Sequence, residues 1–222
     1  AFRYPKFKTK KSRRESFTTY CRQLPSGPTV YLTGEGVRLP KLGVVKAKLH
    51  RRPLHWWSLR FATVSKTRSG KYFCSLTFGY EAKVPKAAKP SEKTTLALQY
   101  SPAHFYVDSE GCVPVSPDQA GAMERLAKMQ RKLRGMERGS KNYEKQLQKI
   151  RLLHERIANR RKDFIHKESR RIANDWDAVC VKDDSLLGGA GSGFGMFRTC
   201  LQYKLERQGK RYIAVSGPAA AA

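Results

Sequence analysis

Residues 94–115, TTLALQYSPAHFYVDSEGCVPV, contain the pattern from which the fold of the chain is predicted. An apolar run leads to Gln99, a Ser-Pro pair interrupts it, and a second run from Phe105 enters the turn-forming residues 108–111. Two β-prone runs on either side of turn-forming residues are typical of paired strands. The sequence before this stretch predicts short strands, and the sequence after it predicts long helices that alternate with single strands. We therefore expect a sheet to begin here.

The charge of the chain favours an anionic partner. Its 222 residues include 45 Lys and Arg against 18 Asp and Glu, which gives a formal net charge of +27. Such a charge attracts polyanions, and 10 Tyr, 10 Phe and 3 Trp are available to stack on bases, so nucleic acid is the favoured partner. The sequence shows no long apolar span and no signal peptide, and we expect no membrane partner.

Cysteine usage indicates a reducing compartment. The five cysteines are scattered and form no C-x-x-C pair, which favours reduced thiols in a cytosol over a zinc site within this chain. The sequence begins at Ala1 without Met and ends in four alanines, 219–222, so we expect it to be part of a longer protein.

The first 88 residues are interpreted as a basic β-domain. Residues 1–16 form a basic run with interspersed aromatic residues, which is either a solvated arm or an arm that contacts phosphates. Short alternating runs between residues 17 and 80 favour a small antiparallel barrel, and the Pro-, Ala- and Lys-rich segment 83–93 marks a domain boundary. For either tryptophan of this region, a plain core position is the alternative to nucleic-acid binding. The candidate nucleic-acid contacts are Lys6, Lys8, Lys10, Lys11, Arg13, Arg14, Arg51, Arg52, Trp56 and Trp57.

A basic helical hairpin is predicted at about residues 117–174. Ser116 and Pro117 form a good helix start, and apolar residues continue at helical spacing to Gly135. A second, longer helix is predicted from near Lys141, with apolar residues along one stripe. Its other face carries more cations than nearby acids can neutralise, so we interpret it as following a nucleic-acid backbone rather than as a merely solvated face. The candidate contacts on this helix are Lys145, Lys149, Arg156, Arg160, Arg161, Lys167, Arg170 and Arg171.

The last part of the chain predicts the remaining elements of an α/β domain. A short strand at 177–182 precedes a glycine-rich stretch, a helix from Phe194 to Glu206, and a strand at 211–215. The order strand, strand, long helices, strand, helix, strand is typical of the ribonuclease H kind of fold. The predicted fold class is therefore α+β and multi-domain, with a barrel in 1–88 and an α/β domain in 89–222.

Three segments of the sequence resemble the TnpB family, which comprises transposon-encoded, RNA-guided DNA nucleases related to the type V CRISPR effectors. The segments are YSPAHFYVDSEG (100–111), VCVKD (179–183) and GFGMFRTCLQYKLERQGK (193–210). In addition, PKFKTKKSRRESFTT (5–19) is similar to the start of the family's OB-like β-barrel, the wedge domain. The resemblance implies a wedge domain in 1–88 and a RuvC-like domain in 89–222.

The resemblance also implies where catalytic carboxylates belong. In the family, three carboxylates hold the metal ions: an Asp in the leading strand, a Glu at the end of a later strand, and an Asp near a zinc ribbon. The first position holds Gln99 and the second Lys182, while the third and the ribbon are not in this sequence. Because magnesium requires oxygen ligands and is repelled by an ammonium, we expect a degenerate site with no Mg²⁺. Because the ribbon is not in this sequence, we also expect no zinc cofactor. Asp108 is interpreted as a turn residue, and Asp183 as facing the opposite side of its strand from Lys182.

The implied function is RNA-guided DNA binding without cleavage, as in the nuclease-dead TnpB-like repressors. We expect a guide RNA, target double-stranded DNA and their RNA–DNA heteroduplex as partners, with one protein per guide RNA in the bacterial cytoplasm at the nucleoid. Two alternatives stay open. One is an active RNA-guided endonuclease whose metal is held by Asp108, Asp183 or Asp184, and the other is a non-specific structural RNA-binding protein.

Overall fold

The chain folds into two compact units that divide between Ala82 and Lys83. The computed structural model describes residues 15–83, 85, 89–114, 120–182 and 193–215. The predicted basic arm, the helix start at Ser116 and the glycine-rich stretch before Gly193 lie outside the described residues. The mixed α+β class is confirmed by the elements of the two units. The domain limits 1–88 and 89–222, with their wedge and RuvC-like identities, stay predictions.

Three small antiparallel sheets make up the described part of the first unit. The strands are β1 (Glu15–Tyr20), β2 (Gln23–Leu24), β3 (Gly27–Pro28), β4 (Tyr31–Leu32), β5 (Gly36–Leu39), β6 (Gly43–Lys46), β7 (Ser58–Lys66) and β8 (Tyr72–Gly79). They pair in the orders β1-β7-β8, β2-β3 and β4-β5-β6. The expected closed barrel is not confirmed, because the described strands form separate sheets and several of them are only two residues long.

The long β7–β8 hairpin organises the core of this unit. Its turn is closed by the amide of Thr67, which donates to the carbonyl of Lys71. Ala62 of β7 is fully buried and clusters with Val37 and Leu39 of β5. The sheet therefore turns one side toward an apolar cluster and leaves the other side exposed.

The second unit is built on a four-stranded mixed sheet. Its strands are β9 (Thr95–Ser101), β10 (Phe105–Asp108), β11 (Ala178–Lys182) and β12 (Arg211–Val215), in the order β10-β9-β11-β12. The β9–β10 pair is antiparallel, whereas β11 runs parallel to both β9 and β12. These pairings confirm the strands predicted around residues 94–115 and near the end of the sequence.

Three helices pack in the second unit: α1 (Ala120–Arg134), α2 (Lys141–Asp175) and α3 (Phe194–Arg207). Helix α2 begins where predicted, because the side chain of Ser140 accepts a hydrogen bond from the amide of Tyr143 at 3.1 Å. Its 35 residues span about 52 Å. Among the helices in the described residues, none has both the length and the apolar character needed to span a membrane.

Helix α2 serves two cores along its length. Its first half packs against α1, where Ile150, Leu153 and Ile157 cluster with Leu126. Its second half joins α3 over the sheet, with Ile172 in the same cluster as the strand residues. The first half thus forms the predicted hairpin, and the second half anchors that hairpin to the sheet.

Candidate nucleic-acid interface

Gln99 and Lys182 come together at one end of the sheet. In the parallel pairing of β9 and β11, the last partners are Leu98 and Val181. Gln99 and Lys182 are the next residues on their strands, so they lie side by side at the carboxyl ends of two neighbouring strands. Successive residues of a strand face opposite sides of the sheet. Leu98 and Val181 are buried under the helices, so Gln99 and Lys182 face the other side.

Two valines flank this pair. Val107 of β10 is opposite Gln99, and Val215 of β12 is opposite Lys182. The four residues Val107, Gln99, Lys182 and Val215 therefore form a row across all four strands, which we call the exposed row. Its two valines are 36% and 49% exposed, Gln99 is exposed and Lys182 is half-buried. The row has a polar centre between two apolar ends.

The chemistry of the exposed row does not fit the divalent metal that the resemblance implies. A hard cation such as Mg²⁺ takes oxygen ligands, usually including carboxylates. Gln99 offers one neutral carbonyl oxygen. The side chain of Lys182 carries a positive charge and three N–H donors, and it contains no acceptor atom that could bind a metal. Within the described residues, no group of three or more His, Cys, Asp or Glu side chains could hold a metal ion. Asp183 and Asp184 lie outside those residues.

Asp108 is used by the turn that follows β10. Its Oδ1 accepts hydrogen bonds from the amides of Glu110, at 3.1 Å, and Cys112, at 2.7 Å. This pattern is the turn chemistry predicted for Asp108. In the β9–β10 register Asp108 is opposite Leu98, and it is therefore out of line with Gln99.

Most of the predicted cations of α2 lie along one face of the helix. With about 100° of rotation per residue, six of the eight fall within a sector of about 80°. All six are exposed, and five of them recur at alternating spacings of four and seven residues, which keeps them in line over about 33 Å. We call this set the basic stripe: Lys145, Lys149, Arg156, Arg160, Lys167 and Arg170.

One member of the basic stripe is partly neutralised. Lys167 Nζ lies 2.8 Å from Asp163 Oδ2, in a pair whose side chains are 76% and 62% exposed. Exposed pairs of this kind contribute roughly 0–1 kcal/mol, so an anionic ligand can compete for the lysine.

The other two predicted cations of α2 lie off the stripe and have local roles. Arg171 Nη2 is 2.7 Å from Glu168 Oε1 and 3.2 Å from the hydroxyl of Tyr106, which itself donates to Glu168. The bond to Glu168 raises the pKa of the Arg171 guanidinium. Arg161 packs its stem at the start of α3, where a Cβ added to Gly193 would lie 3.2 Å from Arg161 Cδ. The structure thus ties both arginines to the fold of this unit.

In the first unit, the two tryptophans occupy different environments. Trp57 is half-buried and stacks on Tyr80, with ring centroids 4.9 Å apart and an interplanar angle of 12°. Trp56 meets both rings edge-on and is 51% exposed. The guanidinium of Arg51 lies 5.7 Å from the centre of the Trp57 ring, a cation–π distance. Trp56 is therefore available for stacking, whereas Trp57 holds the cluster together.

Sequence reasoning missed Tyr80 as part of this cluster. The residue follows β8 directly, and its only signal is an aromatic side chain placed after Gly79 at the end of a strand. Arg52, the next residue after Arg51, is exposed, and the predicted contacts Lys6, Lys8, Lys10, Lys11, Arg13 and Arg14 lie outside the described residues.

Comparisons with known proteins agree with the resemblance. The family model OrfB_IS605, described as "Probable transposase", matches residues 78–183. The chain is 29% identical over 182 residues to "Putative RNA-guided DNA endonuclease InsQ" of Escherichia coli (strain K12), a match that covers 81% of this chain and 42% of that protein. It is 27% identical over 164 residues to "Putative RNA-guided DNA endonuclease" of Streptomyces pristinaespiralis, covering 69% and 40%.

The chain thus spans about two fifths of the length of these curated relatives. The chain is thus similar to transposon-associated proteins whose relatives are named as RNA-guided endonucleases. These matches support the resemblance to the TnpB family.

Proposed function

We propose that the protein binds DNA under the guidance of an RNA, does not cut it, and represses transcription by occupying the site. The similarity to the two relatives supports the RNA-guided part, because both carry that activity in their names. The residues of the exposed row support the absence of cleavage. In this proposal 89–222 is a degenerate RuvC-like domain and 1–88 is part of a wedge domain.

One observation carries the proposal: Gln99 and Lys182 are neighbours. The resemblance selected each position separately, from two segments with two helices between them. Both positions come one residue after the same paired residues, Leu98 and Val181. Their juxtaposition supports the assignment of both positions to one site, because ligands of a shared metal must be neighbours. The chemistry of the two side chains is wrong for that metal.

Loss of both carboxylates removes the chemistry of metal-dependent cleavage. Two-metal phosphodiester hydrolysis depends on cations that clamp the attacking and leaving oxygens. A neutral amide and an ammonium hold no such clamp. Base pairing with the guide would still supply sequence specificity, while the protein holds the heteroduplex through its backbone. The basic stripe and Trp56 are suited to that task, because they offer charge and stacking without selecting a base.

The first experiment is to purify the full-length protein from its own host and sequence the RNA that accompanies it. We expect one discrete RNA with a fixed scaffold and a short variable end that matches a chromosomal promoter. A mixture of ribosomal and messenger fragments, bound without dependence on guide sequence, would overturn guided binding and favour a structural RNA-binding protein.

A cleavage assay then separates binding from cutting. With its guide and a matched target in Mg²⁺, the protein is expected to bind the target and leave it intact. The names of the relatives favour the alternative of an active endonuclease. Metal-dependent cutting by the unmodified protein, abolished by Asp108→Ala, Asp183→Ala or Asp184→Ala, would establish that alternative. The double variant Gln99→Asp, Lys182→Glu tests whether the two positions belong to one metal site.

A further inference from the structure

We infer that Lys182 and Gln99 form a phosphate-binding site, in which an ammonium takes the place of divalent metal ions and holds the nucleic-acid backbone. The inference rests on the proposed function. It adds to that function a ligand class for the exposed row, a phosphodiester group, and a property, binding of DNA that needs no divalent cation.

The donors at the centre of the row match a phosphodiester. A lysine ammonium carries three N–H donors, and a glutamine side-chain amide carries two. Neighbouring strands lie about 4.8 Å apart, so the two side chains leave the sheet close enough to reach oxygens of one phosphate. The hydrogen bonds of the ammonium would be charge-assisted, which are the stronger kind.

Within the four strands, the surroundings of the pair favour an anion. Their one carboxylate, Asp108, lies opposite Leu98 and accepts hydrogen bonds from two amides in its turn, whereas Asp183 and Asp184 lie outside the described residues. The flanking Val107 and Val215 bring apolar surface to both ends of the row. Half-burial of Lys182 beside Val215 lowers the local dielectric, which strengthens its attraction for a phosphate.

A lysine performs only one of the tasks of the metals. It neutralises and positions the phosphate, but it neither bridges two oxygens as a Lewis acid nor generates hydroxide from bound water. A site built on Lys182 would therefore bind the backbone and leave the bond intact. A lysine in place of the family's glutamate would then account for stable occupancy of the DNA target as well as for the loss of cutting.

The test measures target binding as a function of salt. The full-length protein, loaded with its co-purified RNA, is titrated with a fluorescent matched DNA over a range of KCl concentrations in EDTA. The variants are Lys182→Ala, the conservative Lys182→Arg and Gln99→Ala. The matched control is Lys128→Ala, which removes the same charge from an exposed lysine paired with Glu124 on α1.

The logarithm of the binding constant falls as the logarithm of the salt concentration rises, and loss of one phosphate contact should make this negative slope shallower by about 0.7–0.9. We expect this change for Lys182→Ala, with recovery in Lys182→Arg and an unchanged slope in Lys128→Ala. Matched and mismatched targets should weaken by the same factor, because a phosphate contact carries no sequence information. If Lys182→Ala and Lys128→Ala give the same slope as the unmodified protein, the inference is wrong.

A second measurement uses a divalent cation as the readout. Binding by the unmodified protein should be the same in EDTA and in Ca²⁺. The Gln99→Asp, Lys182→Glu variant should bind weakly in EDTA and recover in Ca²⁺, since carboxylates then hold a hard cation in the place of the ammonium. A requirement of the unmodified protein for Ca²⁺ would overturn the inference.

The outcomes distinguish the inference from the proposed function. Failure of the loaded protein to discriminate a matched from a scrambled target defeats guided binding, whatever Lys182 does. Normal discrimination with no effect of Lys182→Ala defeats the inference alone. If Lys182→Ala reduces retention of the RNA rather than binding of the DNA, the phosphate site is supported and its phosphate belongs to the guide.

Discussion

The two faces of the four-stranded sheet differ in nearly every physical respect. One face is formed by Leu96, Leu98, Val179 and Val181, which are 0–2% exposed beneath α2 and α3. The other face carries the exposed row, with a glutamine and a lysine between two valines. Adjacent residues of the same strands supply both faces. The two faces therefore differ because successive side chains point to opposite sides of the sheet, and not because they come from different parts of the sequence.

The comparison separates the residues that hold the fold from those that are free to change function. Substitution of a buried aliphatic residue removes packing and leaves a cavity. Substitution at Gln99 or Lys182 alters charge and hydrogen bonding where side chains meet solvent. A metal site could therefore be exchanged for an ammonium in this row at little cost in stability, and the fold would persist while the chemistry changed.

The largest expected effect on stability is on the face of the sheet that α2 and α3 cover, which we call the covered face. Leu98→Ala should lower the free energy of unfolding by about 2–5 kcal/mol, because Leu98 is 2% exposed in the main cluster. Its neighbour provides the matched control, since Gln99→Ala should change that free energy by no more than about 0.5 kcal/mol. Urea denaturation followed by far-ultraviolet circular dichroism measures both. Similar losses in the two variants would contradict the division between the faces.

A smaller effect is expected where a polar group joins the covered face to α2. Glu168 accepts hydrogen bonds from the buried Tyr106 hydroxyl and from Arg171. Glu168→Ala should cost about 1–3 kcal/mol, because it leaves the tyrosine without its carboxylate partner. The control is Asp163→Ala, which breaks the exposed pair with Lys167 on the same helix and should cost about 0–1 kcal/mol. Equal losses in the same urea assay would show that the buried network adds nothing.

Local patterns were sufficient to predict most of the elements of the second unit. The start of α2 at Lys141 follows from the capping Ser140, and β12 covers residues 211–215 as predicted. Turn chemistry likewise identified Asp108. Each of these features is decided by residues within a few positions of one another, which is why sequence alone is informative about them.

Features that depend on distant residues could not be predicted in the same way. Arg170 and Arg171 are neighbours with the same chemistry, and only the approach of Tyr106 from β10 assigns Arg171 to the fold. The pairing of Gln99 with Lys182 depends on the parallel register of β9 and β11, for which the residues between them hold no local signal. For the same reason, short β-prone runs in the first unit predicted strands correctly but did not determine how the sheets associate.

The smallest expected effect is a pH dependence confined to the covered side. His166 lies at the contact of α2 and α3, where its Nδ1 is 3.8 Å from Cys200 Sγ and its carbonyl accepts from Lys204 Nζ at 2.6 Å. Burial, followed by the positive charge of Lys204, lowers the pKa of His166. A group whose pKa is lower in the folded state stabilises the fold above its unfolded pKa, about 6.5, and loses that contribution as the pH falls through the folded value.

Unfolding measured between pH 8 and pH 5 should therefore show a loss of stability below about pH 6.5 that is absent from His166→Gln. The loss should be modest, because His166 is half-buried and water screens part of the change in charge. The four strands contain no histidine, so Gln99→Ala and Lys182→Ala should keep the pH dependence of the unmodified protein. If either variant removed the dependence, the two faces would be coupled through the sheet, and the exposed row could not be altered independently of the core.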